Sequence, residues 1–339
     1  MLSTQEPIEK STLLSEIRAL VADEMRAIAI KMREEATSSV PLTEEITQHI
    51  LQAKGKQLRP LLMVLAARAA ADQPNKKLLD PALKEMAVVI EFVHTATLLH
   101  DDVVDVSALR RGKSTANNLW GNAASVLVGD FLYSRAFQIL ARHQNTQIMH
   151  LLAKTTNAIA EGEVLQLMNR NDTTISEEKY FHVITQKTAQ LFSAATQIGA
   201  ILAGAKENTA NIMAEYGLLF GIAFQLIDDL LDYQASTKDF GKNIGDDLRE
   251  GKVTLPLIYA MQTADKPDAL FIESVIRGNQ PEQFDRMLSI LQATSAFAKT
   301  KEKAREYAQI ARKALNHLQP SSYRDALLSL LAFATNRSH

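Results

Sequence analysis

Apolar residues recur at helical spacing through most of the 339-residue sequence, and this pattern constrains the fold more than any other feature. In residues 86–106, Val89, Val93 and Leu98 stand near helical steps among other apolar residues, as on a helix buried on nearly all sides. Glycine (13) and proline (9), which break helices, are scarce. Similar segments cover 60–71, 120–142, 147–168, 177–204, 210–234, 252–264, 284–316 and 322–335. No apolar–polar alternation is long enough to indicate a sheet, so we predict an all-α fold.

The helix-breaking residues are concentrated around Pro74, Gly112, 169–174 and 236–252, and none of these stretches resembles a linker between domains. We therefore predict a single domain over residues 1–339. The formal net charge of −2 provides no electrostatic attraction to nucleic acid, so no nucleic acid is expected as a partner. The sequence has no cysteine, which excludes thiolate metal sites, disulfides and cysteine nucleophiles.

The sequence shows neither a signal peptide nor a membrane-spanning pattern. Its first twenty residues are acidic and amphipathic, without the basic start and apolar centre of a signal peptide. The longest apolar runs contain Arg68, Glu91 or His94, and none reaches the ~18 uninterrupted apolar residues of a membrane span. We expect a cytoplasmic protein.

Two apolar stretches contain the same pattern of aspartates, D-D-x-x-D. The six residues are Asp101, Asp102 and Asp105 in LLHDDVVDV, and Asp228, Asp229 and Asp232 in FQLIDDLLDY. Residues three or four apart are neighbours on a helix, so each trio crowds negative charges together. One such trio could be a solvated acidic patch, but two identical trios inside apolar runs need pairing or a metal ion.

Magnesium suits these residues best among the common metal ions. It binds a few carboxylates, keeps several waters and completes its coordination with substrate phosphates. Zinc is disfavoured because the chain has no cysteine and only His100 adjoins either motif. Calcium loops place oxygen ligands at alternating positions with a glycine, which neither motif does. The aspartates therefore indicate a site for Mg²⁺ and a phosphate-bearing substrate.

Basic residues stand beside both motifs, where they could bind the remaining phosphate oxygens. They are Lys56 and Arg59 in GKQLRP, Arg110 and Arg111 after the first motif, Lys187 in TQKTAQLF, and Lys242 and Lys252 around the loop at 236–252. Each alone would be interpreted as a solvated side chain, and only their grouping around the motifs favours binding. His94 lies seven residues before Asp101, two turns along the same helix face, as either a core residue or a diphosphate contact.

Together these motifs resemble the trans-prenyltransferases, the chain-elongating isoprenyl diphosphate synthases. The segments GKQLRP, LLHDDVVDVSALRRGKSTAN, FQLIDDLLDY and GKNIGDDLREGKVTLP match the pattern of that family in its order, over about residues 15–335. FVHTATLLHDDVVD and AEGEVLQLM are particularly similar to bacterial octaprenyl diphosphate synthases, which make the ubiquinone side chain. The resemblance implies an isoprenoid-synthase helical bundle around a central cavity, and a homodimer.

The function implied by the resemblance is the head-to-tail (1'-4, trans) addition of isopentenyl diphosphate to an allylic diphosphate such as farnesyl diphosphate. The expected product is long, namely octaprenyl diphosphate for a quinone side chain. We expect no membrane span, and a peripheral membrane contact for product release.

The resemblance also implies a role for each motif residue. The six aspartates would hold three Mg²⁺ ions against the allylic diphosphate, and Arg110, Lys187 and Lys252 would grip the same diphosphate. Isopentenyl diphosphate would be held by Lys56, Arg59, His94 and Arg111. The developing carbocation or the leaving group would be faced by Lys187, Thr188 and Gln225. Lys242 corresponds to a glycine-flanked lysine of the family.

The resemblance implies that the length of the prenyl product depends on Ala96 and Thr97, which lie five and four residues before Asp101. Both are small, so the prenyl tail could pass, whereas family members that stop at fifteen carbons carry bulky aromatics at that level. At ~1.5 Å per residue, the fifteen residues before the motif span roughly 22 Å, enough for several five-carbon units. Bulky residues of the 158–168 segment, such as Leu165 or Met168, would close the tunnel. Ordinary helix packing is the alternative interpretation of Ala96 and Thr97.

Other functions remain open. A terpene cyclase shares the first motif, but usually has an N-S-E type second motif and lacks GKQLRP. A trans-polyprenyl synthase of another product length also fits. A non-catalytic subunit that sets chain length in a heteromer commonly loses one aspartate motif, and both are whole here. For an acidic helical scaffold without ligands, magnesium and a diphosphate would leave the melting temperature unchanged.

Overall fold

The computed structural model describes residues 6–52, 55–71, 81–234, 245–278 and 280–337. Up to the first aspartate motif the helices are α1 (Glu6–Ala19), α2 (Ala22–Glu35), α3 (Pro41–Gln52), α4 (Leu58–Ala70) and α5 (Pro81–Val104). An antiparallel hairpin of β1 (Leu109–Arg110) and β2 (Lys113–Ser114) follows. The next helices are α6 (Ala116–Trp120), α7 (Asn122–Arg142), α8 (Thr146–Met168), α9 (Glu177–Ile184), α10 (Gln190–Leu202) and α11 (Glu207–Gln234).

The remaining helices complete the described chain. They are α12 (Asp246–Arg249), α13 (Leu255–Thr263), α14 (Lys266–Gly278), α15 (Phe284–Ala293), α16 (Ala296–Ala314) and α17 (Ser322–Asn336). Within the described residues, the two-residue strands are the only sheet. The all-α prediction is therefore confirmed, with this small hairpin as an addition.

Helices α4 and α10 form the centre that positions both aspartate motifs. Nearly every residue of α4 is buried, and α10 packs against α4, α5 and α11. Helix α5, with the first motif at its C-terminal end, also packs against α7. Helix α11, with the second motif near its C-terminal end, also packs against α16. Because α5 and α11 are held by the same two neighbours, their acidic ends lie on opposite walls of one cavity.

The core between α10 and α11 is aromatic. Phe192 on α10 meets the ring of Phe220 on α11 edge to face, with 5.3 Å between centroids. Tyr216 on α11 is fully buried and donates a hydrogen bond to the Leu327 carbonyl at 2.8 Å, which satisfies its hydroxyl. Fully burying a large apolar side chain contributes about 1.5–3 kcal/mol. These contacts fix α11, and with it the second motif, relative to α10.

The structure departs from the predicted helices at two breaks. A π-helical turn at Thr185–Ala189 interrupts the segment predicted at 177–204. Ser295, with φ of 57°, separates α15 from α16 within the segment predicted at 284–316. Neither break involves glycine or proline, so the sequence pattern gave no sign of it. Helices α1–α3 and α14 were also missed, because their exposed faces carry charged residues that dilute the apolar spacing.

Helix α11 is the one described helix that is long and apolar enough to cross a membrane by length and composition. Of its most apolar window, 56% is buried inside the protein, and Asp228, Asp229 and Asp232 stand near its end. These features are those of a core helix.

Candidate active site

A cavity of about 690 Å³ lies where α5 and α11 face each other. It gathers most of the predicted site residues: Lys56, Arg59, His94, Thr97, Asp101, Asp105, Arg110, Arg111, Lys187, Thr188, Gln225, Asp228, Asp229, Asp232 and Lys252. Asp102 and Ala96 do not line it, and Lys242 lies outside the described residues. The motifs are thus combined in one site, as the sequence predicted, with these exceptions.

One face of α5 provides the wall that carries the first motif. Glu91, His94, Leu98, Asp101 and Asp105 all line the cavity, at alternating steps of three and four residues. This is the spacing of one helical face. The helix assignment ends at Val104, but the Asp105 amide still donates to the Asp101 carbonyl at 2.8 Å. Asp101 and Asp105 are therefore presented to the cavity together.

Asp102 points away from this face and is fully buried. Its Oδ1 accepts hydrogen bonds from Arg110, from Nε at 2.8 Å and from a terminal nitrogen at 2.7 Å. Its backbone carbonyl accepts hydrogen bonds from the Ser107 amide and the Asn117 side chain. The geometry favours a role in holding Arg110 at the cavity wall, and a metal-ligand role for Asp102 stays a prediction.

Asp105 is held by two cations from distant parts of the chain. Lys252 Nζ lies 2.8 Å from its Oδ2, and Arg170, just after α8, pairs with its Oδ1. Although burial would raise the pKa of the Asp105 carboxyl, Lys252 and Arg170 hold that pKa below its usual value. Lys252 also pairs with Glu250. These ion pairs join α5, the end of α8 and the segment after α12 around the mouth of the cavity.

The second motif is held mainly by hydrogen bonds. Asp229 accepts hydrogen bonds from the Tyr180 hydroxyl and, at 2.7 Å, from the Gln225 amide. Asp228 pairs with Arg337 at 2.9 Å, and Asp232 accepts a bond from the Asp247 amide at 3.2 Å. Burial raises the pKa of Asp229 to about 6, despite its two donors. Arg337 is thus a cation paired with this motif, while Asp229 is held by the neutral donors Tyr180 and Gln225.

Lys187 projects from the π-helical turn between α9 and α10. Its ammonium donates to Glu163 at 2.6 Å and to Gln166 at 2.7 Å, and lies 3.6 Å from Asp101. On the next residue, the Thr188 hydroxyl donates to the Gln225 side-chain oxygen at 2.9 Å. A single wider helical turn thus aims two adjacent polar side chains into the same cavity, and such turns are frequent at functional sites.

The hairpin explains why R-R-G follows the first motif. Arg111 and Gly112, its two central residues, have φ of 51° and 73°. Positive φ at both positions is the signature of a type I′ turn, which glycine adopts without strain and arginine does not. The turn places Arg110 against Asp102, while the guanidinium of Arg111 lies against Gly55, where a β-carbon would collide with it. Both arginines are thereby directed to the cavity.

Basic residues dominate the end of the cavity near the start of α4. Lys56, Arg59 and Arg111 line it, and the Arg59 guanidinium stacks over the Phe192 ring at 4.2 Å. Burial lowers the pKa of Arg59 to about 10. Burial, reinforced by Arg59 and other arginines, also holds the pKa of His94 well below its usual value, so its imidazole is neutral and can donate one hydrogen bond. We call Lys56, Arg59, His94 and Arg111 the basic pocket.

The carboxylates at the other end fit magnesium bound together with a diphosphate. We call Asp101, Asp105, Asp228, Asp229 and Asp232 the carboxylate end. All donors there are oxygens, which Mg²⁺ prefers. Within the described residues, no three carboxylate or imidazole groups converge closely enough to hold a metal ion by themselves. A Mg²⁺ ion held there would take its remaining ligands from a diphosphate and waters, as is usual for this ion.

Several cavity residues were not predicted as site residues from the sequence. They are Glu91, Glu163, Gln166, Tyr180, Asp247 and Arg337, and Arg170 contacts Asp105 from beside the cavity. Glu163 and Gln166 lie in AEGEVLQLM, whose similarity was noted without assigning roles. Asp247 lies in GKNIGDDLREGKVTLP, which was matched to the family without a role for this residue, and the other residues had no pattern to mark them. Met168, considered for the tunnel floor, is 73% exposed, and neither it nor Leu165 lines the cavity.

Stability should depend on pH through Glu163. Burial raises its pKa from 4.5 to about 7, so the folded protein keeps a proton that the unfolded chain has released. Stability from this group is therefore present at low pH and lost as the pH rises from about 4.5 to about 7. Glu163→Gln should remove that fall, which amounts to roughly 3 kcal/mol in the free energy of unfolding. Urea unfolding at several pH values tests this, with the exposed Glu161→Gln as control; equal pH profiles for wild type and Glu163→Gln would refute it.

Comparison with known proteins agrees with the geometry of the cavity. Residues 40–294 match the family described as "Polyprenyl synthetase". The chain is 43% identical over 335 residues to the octaprenyl diphosphate synthase of Haemophilus influenzae, covering 98% of this chain and 100% of that protein. It is 45% identical over 325 residues to the octaprenyl diphosphate synthase of Escherichia coli, covering 96% and 99%.

Solved structures show the same architecture. A polyprenyl synthase from Caulobacter crescentus, complexed with calcium and isoprenyl diphosphate, superposes with a TM-score of 0.91 at 40% identity, covering 96% of this chain and 98% of that one. A decaprenyl diphosphate synthase from Rhodobacter capsulatus gives 0.89 at 40% identity, covering 96% and 99%. The isoprenoid-synthase fold expected from the motifs is confirmed.

Proposed function

The chain belongs to the polyprenyl synthetase family and is a chain-elongating trans-prenyltransferase, and we propose that it extends farnesyl diphosphate with isopentenyl diphosphate to octaprenyl diphosphate. Enzymes of this family use these two classes of diphosphate and generally depend on Mg²⁺. The carrying observation is that one cavity is lined both by five carboxylates of the two motifs and by the four residues of the basic pocket. Such a cavity can hold two diphosphates at once, one beside carboxylates that could bind metal ions and one beside basic side chains.

At the carboxylate end we place the allylic diphosphate. Asp101 and Asp105 from α5, and Asp228, Asp229 and Asp232 from α11, would hold the Mg²⁺ ions, three by family resemblance. The metal, when bound, stabilises the negative charge that develops on the leaving pyrophosphate. Lys187 and Lys252 contact Asp101 and Asp105 in this structure, and Arg110 contacts the buried Asp102. All three cationic side chains would pair with the diphosphate when it is bound.

At the basic pocket we place isopentenyl diphosphate. Lys56, Arg59 and Arg111 supply positive charge, and the neutral His94 imidazole can donate a hydrogen bond. Arginine suits this task because its planar guanidinium binds two phosphate oxygens at once. Phe192 under Arg59 keeps that guanidinium in place before the substrate arrives.

Between the two diphosphates the reaction forms a carbon–carbon bond. The allylic C–O bond breaks with its electron pair leaving on the pyrophosphate, and the isopentenyl double bond attacks the allylic carbon. The proton then lost from the isopentenyl unit passes to the departed pyrophosphate. Thr188 and Gln225, joined by a hydrogen bond, present oxygen atoms near the second motif, where they would stabilise the developing cation. No step of this reaction requires a nucleophile from the protein.

The growing tail would pass Thr97, which lines the cavity one turn before Asp101. Ala96 is fully buried in the helical core, so of the two predicted chain-length residues only Thr97 faces the cavity. The octaprenyl product is proposed because relatives named for that product match over nearly the whole chain. A relative from Rhodobacter capsulatus, named for a nonaprenyl product, is 41% identical, so identity alone does not fix the length.

The remaining parts of the proposal concern the whole molecule. We propose one domain over the chain, a homodimer, a cytoplasmic location, a role in making the quinone side chain, and a peripheral membrane contact for releasing the apolar product. Exposed apolar residues on α7 and α8, such as Leu127 (66%) and Val164 (57%), support an interface or membrane contact, because water penalises such surface. No nucleic acid is proposed as a partner.

The decisive experiment incubates the purified protein with isopentenyl and farnesyl diphosphates and Mg²⁺. We expect products up to forty carbons, identified by chromatography after dephosphorylation, and no turnover with EDTA. Magnesium plus an unreactive farnesyl diphosphate analogue should raise the melting temperature, because a ligand that binds only the folded state stabilises it. An unchanged melting temperature would favour a scaffold without ligands. Stabilisation without turnover would favour a non-catalytic subunit.

A further inference from the structure

Glu91 is a buried acid at the basic end of the cavity, and the reaction described above gives it no role. It lines the cavity from α5, three residues before His94, and its exposure is 9%. Among the described residues, its Oε2 atom has no hydrogen-bond partner. Burying a carboxylate oxygen without a partner is costly, so packing alone does not explain this residue.

The charges that act on Glu91 belong to the basic end. Burial raises the pKa of its carboxyl, and Arg59, Arg111 and Arg18 oppose that rise. Two of these arginines are members of the basic pocket, and the third, Arg18, donates to the Lys56 carbonyl. Glu91 is therefore an acidic group placed where the pocket would receive the negative charge of a diphosphate.

Repeated elongation sets a requirement on that pocket. In each round the allylic pyrophosphate leaves from the carboxylate end, while the lengthened product keeps the diphosphate that isopentenyl diphosphate brought. This diphosphate starts in the basic pocket. It must reach the carboxylate end before the product can react as the allylic substrate of the next round. A pocket that bound it too tightly would stop elongation early.

We propose that Glu91 weakens the hold of the basic pocket on a diphosphate, so that the product can move to the carboxylate end between additions. The inference rests on the proposed function. Ten residues of helix separate Glu91 from Asp101, or roughly 15 Å. At that distance its charge acts mainly on the basic pocket, because Coulomb interactions weaken with distance and solvent screening.

Glu91→Gln removes the charge while keeping the shape. We expect the dissociation constant of isopentenyl diphosphate to fall on the order of 10-fold, the effect of one unit charge about 12 Å away at an effective dielectric constant near 20. This dissociation constant is measured by titrating the protein with isopentenyl diphosphate in the presence of Mg²⁺ and the unreactive farnesyl diphosphate analogue. The rate of one addition should be retained, while products shift to shorter chains. The matched control is Glu85→Gln on the same helix, where Glu85 pairs with His143 outside the cavity.

Two outcomes would overturn the proposal. Weaker or unchanged isopentenyl diphosphate binding would mean that Glu91 does not oppose the diphosphate. Tighter binding with an unchanged product distribution would mean that release from the pocket does not limit elongation. If Glu91→Gln does not fold, Glu91→Met tests the same outcomes with an apolar side chain of similar size. Failure of the wild-type protein to elongate any primer would instead count against the proposed function.

Discussion

Replacing Asp101 with asparagine should lower turnover on the order of 10²–10³-fold, the usual cost of losing one group that stabilises transition-state charge. Asp101 lines the carboxylate end, and Lys187 Nζ lies 3.6 Å from its Oδ2. The effect on stability should be small, because the substitution removes the ion pair with Lys187 but also relieves the repulsion between Asp101 and the buried Glu163. Steady-state kinetics at saturating Mg²⁺ and thermal unfolding measure the two effects separately.

Asp102→Asn is the informative comparison for Asp101→Asn. It makes the same change on the adjacent residue, but Asp102 is fully buried against Arg110. Weakening a buried ion pair leaves Arg110 without its counter-charge, at a cost of about 3 kcal/mol in the free energy of unfolding. We therefore expect a lower melting temperature for Asp102→Asn and an unchanged or higher one for Asp101→Asn. A mild kinetic loss in Asp101→Asn would remove Asp101 from the proposed metal site.

The two aspartate trios show what sequence reasoning could and could not establish. The repeat of D-D-x-x-D in apolar runs was sufficient to predict that both motifs meet in one acidic site. It could not distinguish Asp102 from its neighbours, because all three positions look alike until the hairpin brings Arg110 against one of them. Which side chain faces a cavity depends on packing around the helix end, and spacing alone does not contain that information.

The basic residues show the same limit of prediction from local sequence patterns. Lys56, Arg59 and Arg111 were predicted because they stand in motifs, and the cavity gathers all three. Arg337 pairs with Asp228 and lies in the same cavity, but it stands near the end of the chain, 109 positions away, with no motif around it. Contacts between residues so far apart arise from the tertiary fold, and no local pattern records them.

Thr97→Phe should shorten the product. Thr97 lines the cavity one helical turn before Asp101, so a phenyl ring there would occupy the path proposed for the tail. We expect products of about 15–20 carbons, since the ring lies roughly 6 Å from the motif along the helix axis. The assay should use geranyl diphosphate as primer, so that a fifteen-carbon product counts as one addition. Chromatography of the dephosphorylated products measures the distribution.

Ala96→Phe separates a blocked tunnel from a damaged helix. Ala96 is the preceding residue on α5, but it is fully buried in the core and does not line the cavity. A phenyl ring there should overpack the core and cost about 1–3 kcal/mol in the free energy of unfolding. Thr97→Phe should instead shorten the product with little change in stability, because its ring can extend into the cavity. If Thr97→Phe keeps both its activity and the wild-type product length, the tail does not pass Thr97 and the proposed tunnel is wrong.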